Sequence, residues 1–302
     1  MLQRKVNKIQ NSYEREIAQG YLDTLATLKL ELSEIYEKHA VDGRVARDVW
    51  YKYGHLKKIE KELVEKINAL TQVQINTIKQ SIVESFQETF YRNGYYITSQ
   101  AQLAFPIFYK LTQKAIDAIV FNPLDKIKWS NRHKANNKGL IQKLKSVLLN
   151  GIKNGHSYEK IANAITNEFD IGKRKAIKIA QTETARVVST AKQQSMEEAQ
   201  AVGVVMKKRW LCTLDSKTRD THKHLDGQTV GVDDYFISGS RKAKAPHGFG
   251  DAKEDINCRC TVISVFEGLE PTVRMAREVA NERGEIISYK NYNEWRESLT
   301  SK

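Results

Sequence analysis

Asp215-Ser216-Lys217-Thr218-Arg219-Asp220-Thr221-His222-Lys223-His224-Leu225-Asp226-Gly227 and, further on, Asn257-Cys258-Arg259-Cys260-Thr261-Val262-Ile263-Ser264-Val265-Phe266 decide what kind of fold this chain has. The first stretch reads as a short helix, with Asp215 capping its amino end and Gly227 ending it in a left-handed turn. The second becomes apolar and β-branched straight after the cysteines, so Asn257 to Cys260 opens a strand. A short polar helix and a strand of this kind make the carboxyl-terminal part of the chain mixed α and β.

That assignment fixes which side chains can cooperate. His222 and His224 stand about 200 degrees apart on a helix and do not serve one metal ion. His222 and Asp226 share a face, and Asp226 sits near the helix carboxyl end, where the dipole disfavours a negative charge. A positive neighbour is therefore expected, either Arg219 from the preceding turn or a cation. Two residues apart on a strand, Cys258 and Cys260 point the same way, so both thiols can face one ion with His222 as a third ligand. Two sulfurs and an imidazole nitrogen are a donor set that zinc accepts. The fourth position stays open among Asp226, His247 and Cys212, although Cys212 shares a strand face with Trp210 and Leu214 and reads better as a buried small hydrophobe. His222, Cys258, Cys260 and Asp226 are thus the candidate ligands, and zinc the candidate ion. A metal-free alternative pairs Asp215 or Asp226 with Arg219 and lets Asn257 brace the loop.

Working outward, strand-like pieces occur at Val204 to Met206 and Trp210 to Leu214, after Gly203. Before them the period is helical. Leu140, Leu144, Val147 and Leu148 form one run that Gly151 and Gly155 end, Ser157 reads as the next N-cap, and Gly172 begins a further unit. Between Pro123 and about Asn137 a stretch with Lys126, Lys128, Trp129, Arg132, His133 and Lys134 reads as a basic linker. All four prolines, at 106, 123, 246 and 271, lie beyond the first hundred residues, which leaves room there for long helices. Leu22, Leu25, Leu28, Leu32 and Ile35, then Ile59, Leu63, Ile67 and Leu70, then Ile75, Ile78, Ile82, Phe86 and Phe90 give apolar stripes, with Asn93-Gly94 as a helix stop. These stripes read as ordinary core. The fold class is α+β, predominantly α: a long-helix amino-terminal half (1–125), a basic linker (126–139), and a domain over 140–302 whose small α+β region spans 204–266 before a carboxyl-terminal tail.

The chain has 302 residues, enough for one substantial core or two modest ones. Forty-nine Lys plus Arg against 36 Asp plus Glu leave a net charge of +13, which suits a polyanionic partner such as DNA. Lys173, Arg174, Lys175, Lys207, Lys208 and Arg209 are the candidate phosphate contacts, with Arg241, Lys242 and Lys244 beside them. A solvated surface accounts for the same charges. There is no apolar run of membrane-spanning length and no apolar core of a signal peptide, so no membrane partner is expected and the protein should be soluble and cytosolic. Three cysteines, an odd number, argue against a disulfide framework.

The series Thr182-Glu183-Thr184-Ala185-Arg186, Trp210, Asp215 with Thr218-Arg219, His222, Leu225-Asp226-Gly227-Gln228, Phe236, Pro246 and Asn257-Cys258-Arg259-Cys260 resembles the phage Mu F-like head morphogenesis family over about residues 140 to 265. The resemblance implies a minor head (minor capsid) protein of the virion, located in the phage head interior or at the portal vertex. Its implied partners are the portal protein and other head proteins, and its implied tasks are head assembly and DNA packaging or ejection. Position by position, His222, Cys258 and Cys260 match polar places where metal binding is a reasonable expectation. Asp215, Thr218, Arg219, Asp226, Gly227 and Asn257 match the other characteristic places. The loop from Pro246 to Ile256 departs from the pattern, so the resemblance lends His247 no support.

An enzymatic alternative is a zinc-dependent hydrolase or nuclease, with Asp226 or Glu254 accepting a proton from metal-bound water. Two thiolates weaken zinc as a Lewis acid, which favours a structural site. A toxin-like effector is the other alternative, and no Walker sequence or serine nucleophile motif points to either. The expectation is a protein that is not an enzyme.

Overall fold

The computed structural model describes residues 2–102, 111–112, 116–118, 120, 128–277 and 284–300. Pro106, Pro123 and Lys126 lie outside the described residues. Helices α1 (Leu2–His39), α2 (Arg47–Lys52) and α3 (His55–Gln100) precede the first proline, as the proline-free stretch predicts. The turn after α1 is built on Asp42-Gly43, whose positive φ values of 49° and 71° let Val41 and Arg44 exchange backbone hydrogen bonds. Helices α4 (Trp129–Lys153) and α5 (Tyr158–Ala201) follow. Ser157 caps α5 as expected, its Oγ accepting from Lys160 N at 3.4 Å.

Three breaks read from the sequence are absent. Residues 129–139 are not a linker but the first turns of α4, because Trp129, His133 and Asn137 recur every four residues and form a buried face that hydropathy misses. Gly172 lies inside α5: a Cβ there would meet Leu140 at 3.1 Å and Tyr21 at 3.3 Å, so this glycine serves close packing and not punctuation. Asn93-Gly94 lies inside α3, where buried Asn93 donates to Ser195 Oγ at 2.7 Å. The first stripe holds at Leu25, Leu28 and Leu32 and shifts by one residue at its two ends. Tyr21 and Tyr36 are buried, while Leu22 is 45% exposed.

The chain divides into two compact units that interleave along the sequence, so neither matches the blocks 1–125 and 140–302. One comprises Lys8–Ser81 and Ile127–Gln181, and the named elements among its described residues are all helices. Leu28, Leu63, Ile67, Leu144, Leu148, Ile165 and Phe169 are among its buried side chains. A polar chain runs through them: Tyr21 OH donates to Asn137 Oδ1 at 2.6 Å and Asn137 Nδ2 to Thr71 Oγ1 at 2.8 Å. Beside it, burial pushes the fully enclosed His133 imidazole down from 6.5 to about 4. Below pH 6.5 the unfolded chain binds a proton that the folded chain refuses until about pH 4. Stability is therefore expected to fall as pH drops through that window, by up to about 3 kcal/mol from this group. Denaturant unfolding at pH 7 and pH 4.5 should show a smaller acid loss for His133→Gln than for the parent, and equal losses would refute the assignment.

The other unit comprises Met1–Asn7, Ile82–Lys126 and Thr182–Lys302. Strand β1 (Lys207–Leu211) is central in an antiparallel sheet of order β2-β1-β5, with β2 at Thr229–Gly231 and β5 at Thr261–Val265. Trp210 pairs with Val262 in this sheet, and both are fully buried. Together with Ile97, Met196, Ala199, Leu225 and Phe236 they form the unit's apolar core. A hairpin of β3 (Phe236–Ser238) and β4 (Arg241–Ala243) brings Phe236 to 5.2 Å from the Trp210 ring. The described residues beyond 266, read as a tail, carry regular elements. Strands β6 (Val273–Arg277) and β7 (Gly284–Ser288) pair, and helix α8 (Tyr292–Thr300) joins Leu214, Ala276, Tyr292 and Trp295 in a small second cluster.

Candidate metal centre

The segment read as one helix from Asp215 to Gly227 is shorter in the structure. Asp215 Oδ1 accepts from Lys217 N at 2.9 Å and from Thr218 Oγ1 at 3.2 Å, folding 215–218 into a turn. Only Asp220–Lys223 is helical (α6), and Arg219 at its amino end is extended and supplies no side-chain cap. Gly227 does take the left-handed conformation, φ 83°, and its N donates to Trp210 O at 2.9 Å. α6 is thereby tied to β1. Its inward residue is His222, buried between the rings of Trp210 and Phe249, with centroids at 6.0 and 5.9 Å. His224 is exposed, as expected of the residue on the opposite side.

Asn257 to Cys260 precede β5 and do not open it. Asn257 has φ 58°, a left-handed turn that asparagine tolerates, and the chain is alternating by Cys258. Both thiols face inward while Arg259 points out and pairs with Asp215. The expected trio therefore assembles. His222 Nδ1 lies 3.5 Å from Cys258 Sγ and 3.4 Å from Cys260 Sγ, and the three atoms are all within 4.8 Å of one another.

The far nitrogen of His222 is held separately. Nε2 lies 2.9 Å from Glu254 Oε2, which also accepts from Thr221 Oγ1 at 2.9 Å, while Arg241 pairs with the other carboxylate oxygen. Glu254 belongs to α7 (Ala252–Asp255), capped by Asp251. Arg219 supports the same loop by donating to Glu254 O and Ile256 O. The thiols are held neutral in this setting. The Cys260 hydrogen bond, then burial, pushes Cys258 up to about 11, against a downward pull from His222 and His247. Burial raises Cys260 well above the usual thiol range, and the Cys212 thiol, 3.3 Å away, adds to that.

Asp226, a candidate ligand from sequence, is not at the cluster. Its carboxylate is engaged by Arg274 Nη1 at 2.7 Å and Nη2 at 2.6 Å, by Cys212 N at 2.6 Å and by Tyr292 N at 2.7 Å. The positive partner expected near it is thus Arg274, not Arg219. No periodic rule could have found that pair, because the two residues are 48 positions apart. Glu254 as the support of His222 was missed for the same reason.

The basic candidates separate by burial. On β1, alternation turns Lys207 outward and Lys208 inward, where its ammonium donates to Gln193 Oε1 at 3.0 Å and Lys244 O at 2.9 Å, and burial pushes it down to about 8. Lys208 is therefore no phosphate contact. Arg209 is engaged by Glu270 at 2.9 Å, and Lys173 by Asp170 at 2.7 Å. Arg174, Lys175 and Lys207 remain exposed.

Comparison with known proteins matches residues 142–263 to the family described as Phage Mu protein F like protein. Residues 142–263 belong to that family. The Mu F-like segment begins within α4, ends within β5 and contains His222, Cys258 and Cys260. Minor head protein GP7 of Bacillus phage SPP1 is 26% identical over 298 residues, covering 97% of this chain and 95% of that protein. The NAD(+)--arginine ADP-ribosyltransferase EFV of Enterococcus faecalis is 34% identical over 240 residues, 77% of this chain. The chain spans about half, 48%, of that relative's length. An uncharacterized protein, YqbB of Bacillus subtilis, is 30% identical over 139 residues, 42% of this chain and 44% of its own. No solved structure matches. Among the described residues, no helix is long and apolar enough to cross a membrane.

Proposed function

We propose that this chain is a minor head protein of a phage virion, seated at the portal vertex, that serves head morphogenesis and the packaging or ejection of DNA. The likeness to GP7 over nearly the full length of both proteins carries this reading. The site geometry supports a structural role over a catalytic one. His222, Cys258 and Cys260 are each less than a tenth exposed, which leaves little of the cluster open to a substrate. DNA remains a proposed partner through exposed Arg174, Lys175 and Lys207, held by charge and therefore weakened by salt.

The test is assembly. Coexpressed with the portal and shell proteins of its phage, the chain should co-purify with portal rings and appear in finished heads in few copies. Heads that form in its presence without retaining it would remove the reading. The relationship to the Enterococcus faecalis ADP-ribosyltransferase favours a second reading, a toxin-like effector. Consumption of NAD with modification of an arginine-bearing acceptor by the purified chain would select that reading instead.

A further inference from the structure

We propose that His222, His247, Cys258 and Cys260 form a tetrahedral zinc site that clips α6, the 246–250 loop and the turn before β5 into one piece. The inference stands independently of the role in the head.

Three ligands are given by distance: His222 Nδ1 and the two sulfurs lie within 4.8 Å of one another. The orientation of both imidazoles gives the rest. His222 carries its proton on Nε2, towards the Glu254 carboxylate at 2.9 Å, which leaves the Nδ1 lone pair facing the thiols. His247 is arranged in mirror fashion. Its Nδ1 donates to Asp255 O at 2.9 Å, so Nε2 is the lone-pair nitrogen. That nitrogen is buried and has no hydrogen-bond partner among the described residues, on a side chain only 4% exposed. An enclosed imidazole nitrogen without a partner is costly and calls for an occupant. Its side chain meets the Cys258 thiol, the same group that His222 Nδ1 approaches at 3.5 Å. In metal sites the non-ligating nitrogen of a histidine is fixed by a carboxylate or a carbonyl, and here one imidazole has each.

The donor set selects the ion. Two thiolates and two imidazoles suit zinc, which takes four such ligands tetrahedrally, whereas magnesium and calcium demand oxygen. All four side chains are buried, Cys260 being the most exposed at 8%, so the coordination is closed and the site structural. Binding displaces the protons of Cys258 and Cys260, and the dication offsets the burial of two thiolates. Cys212 has a different part. Its thiol donates to His222 O at 2.8 Å and touches Cys260 Sγ at 3.3 Å, which makes it an outer neighbour of the cluster and not a ligand.

The experiment uses the full chain without a polyhistidine tag, purified without chelator, and reads zinc by native mass spectrometry. One zinc per chain is expected. Cobalt substitution should give thiolate charge-transfer bands and the strong visible bands of tetrahedral coordination. His247→Ala should keep the charge-transfer bands, lose tetrahedral intensity and weaken zinc binding by more than about 100-fold, beyond the loss typical of outer partners. Cys212→Ser should leave spectrum and stoichiometry unchanged. Each variant is compared at equal helical circular dichroism, and His247→Gln substitutes if the alanine form does not fold. A parent protein that takes up neither zinc nor cobalt overturns the proposal. So does loss of the thiolate bands in Cys212→Ser with an unaltered spectrum in His247→Ala.

Discussion

Asp226→Ala is expected to destabilise the sheet-bearing unit by about 3–5 kcal/mol, because it strands a buried arginine. The Asp226 carboxylate is fully enclosed, and the Arg274 side chain is 6% exposed. The carboxylate accepts from two guanidinium nitrogens and from the amides of Cys212 and Tyr292, so it ties β1, β6 and the start of α8 to one point. Removing it leaves a desolvated cation held only by the carbonyls of Lys290 and Cys212, with no counter-charge, and deprives two amides of their acceptor. Chemical denaturation should report the loss, and limited proteolysis should show cleavage beyond residue 266, where that clamp holds the chain. The pair Asp226→Leu with Arg274→Met should recover much of the stability, since a buried ion pair is worth little against apolar residues that fill its space. A single alanine variant within about 1 kcal/mol of the parent, the range of an exposed pair, would show that the clamp is not formed. Asp226→Asn, which keeps most of the shape, should also retain bound zinc, separating this residue from the metal site.

Much of the candidate site was legible because strand alternation and helix period act over a few residues. Cys258 and Cys260 face inward around an outward Arg259 as the period of two requires, and His222 is separated from His224 as the helix requires. The residues that hold the trio were not legible. Glu254 and Arg274 reach their partners across 32 and 48 positions, and a contact at that range is set by topology, which leaves no periodic trace. His247 has no spacing rule that would mark it as a ligand. That its Nε2 is buried and unpartnered among the described residues follows from the fold of the 246–250 loop, which no local pattern encodes.

The misread helices share another cause. Hydropathy assumes that polar residues face water, and in this chain a set of them does not. Asn93, His133 and Asn137 are buried and hydrogen-bonded, so segments that read as stops or linkers are interior faces of long helices. Lys208 shows the same inversion on a strand: Lys207-Lys208-Arg209 reads as one basic patch, yet the pleat sends its middle member into the core. Glycine is inverted too. Gly172 marks a place where α4 and α1 side chains approach α5, and a rule that takes glycine as punctuation ends the helix there.

Glu183→Ala should be nearly as damaging as the loss of Asp226, and for a related reason. In Thr182-Glu183-Thr184-Ala185-Arg186 every residue but Ala185 is buried, although four of the five are polar, so this part of α5 is an interior helix lined with hydrogen-bonding groups. Glu183 accepts from Arg186 Nε at 2.9 Å, with side-chain exposures of 0% and 6%. Truncating the glutamate removes the carboxylate that Arg186 Nε meets and opens a cavity beside a buried charge, a change of about 3–5 kcal/mol. A melting temperature lower by about 10 °C is expected from helical circular dichroism. Glu183→Gln keeps an acceptor of the same shape and loses only charge, so its effect should be smaller than that of alanine. Removing both charges, as Glu183→Leu with Arg186→Met, should restore most of the loss, because the damage comes from burying a charge without its counter-ion and not from the missing attraction. If the double substitution is as unstable as Glu183→Ala, the two side chains do not act as a pair, and the buried polar lining of α5 is held by other contacts.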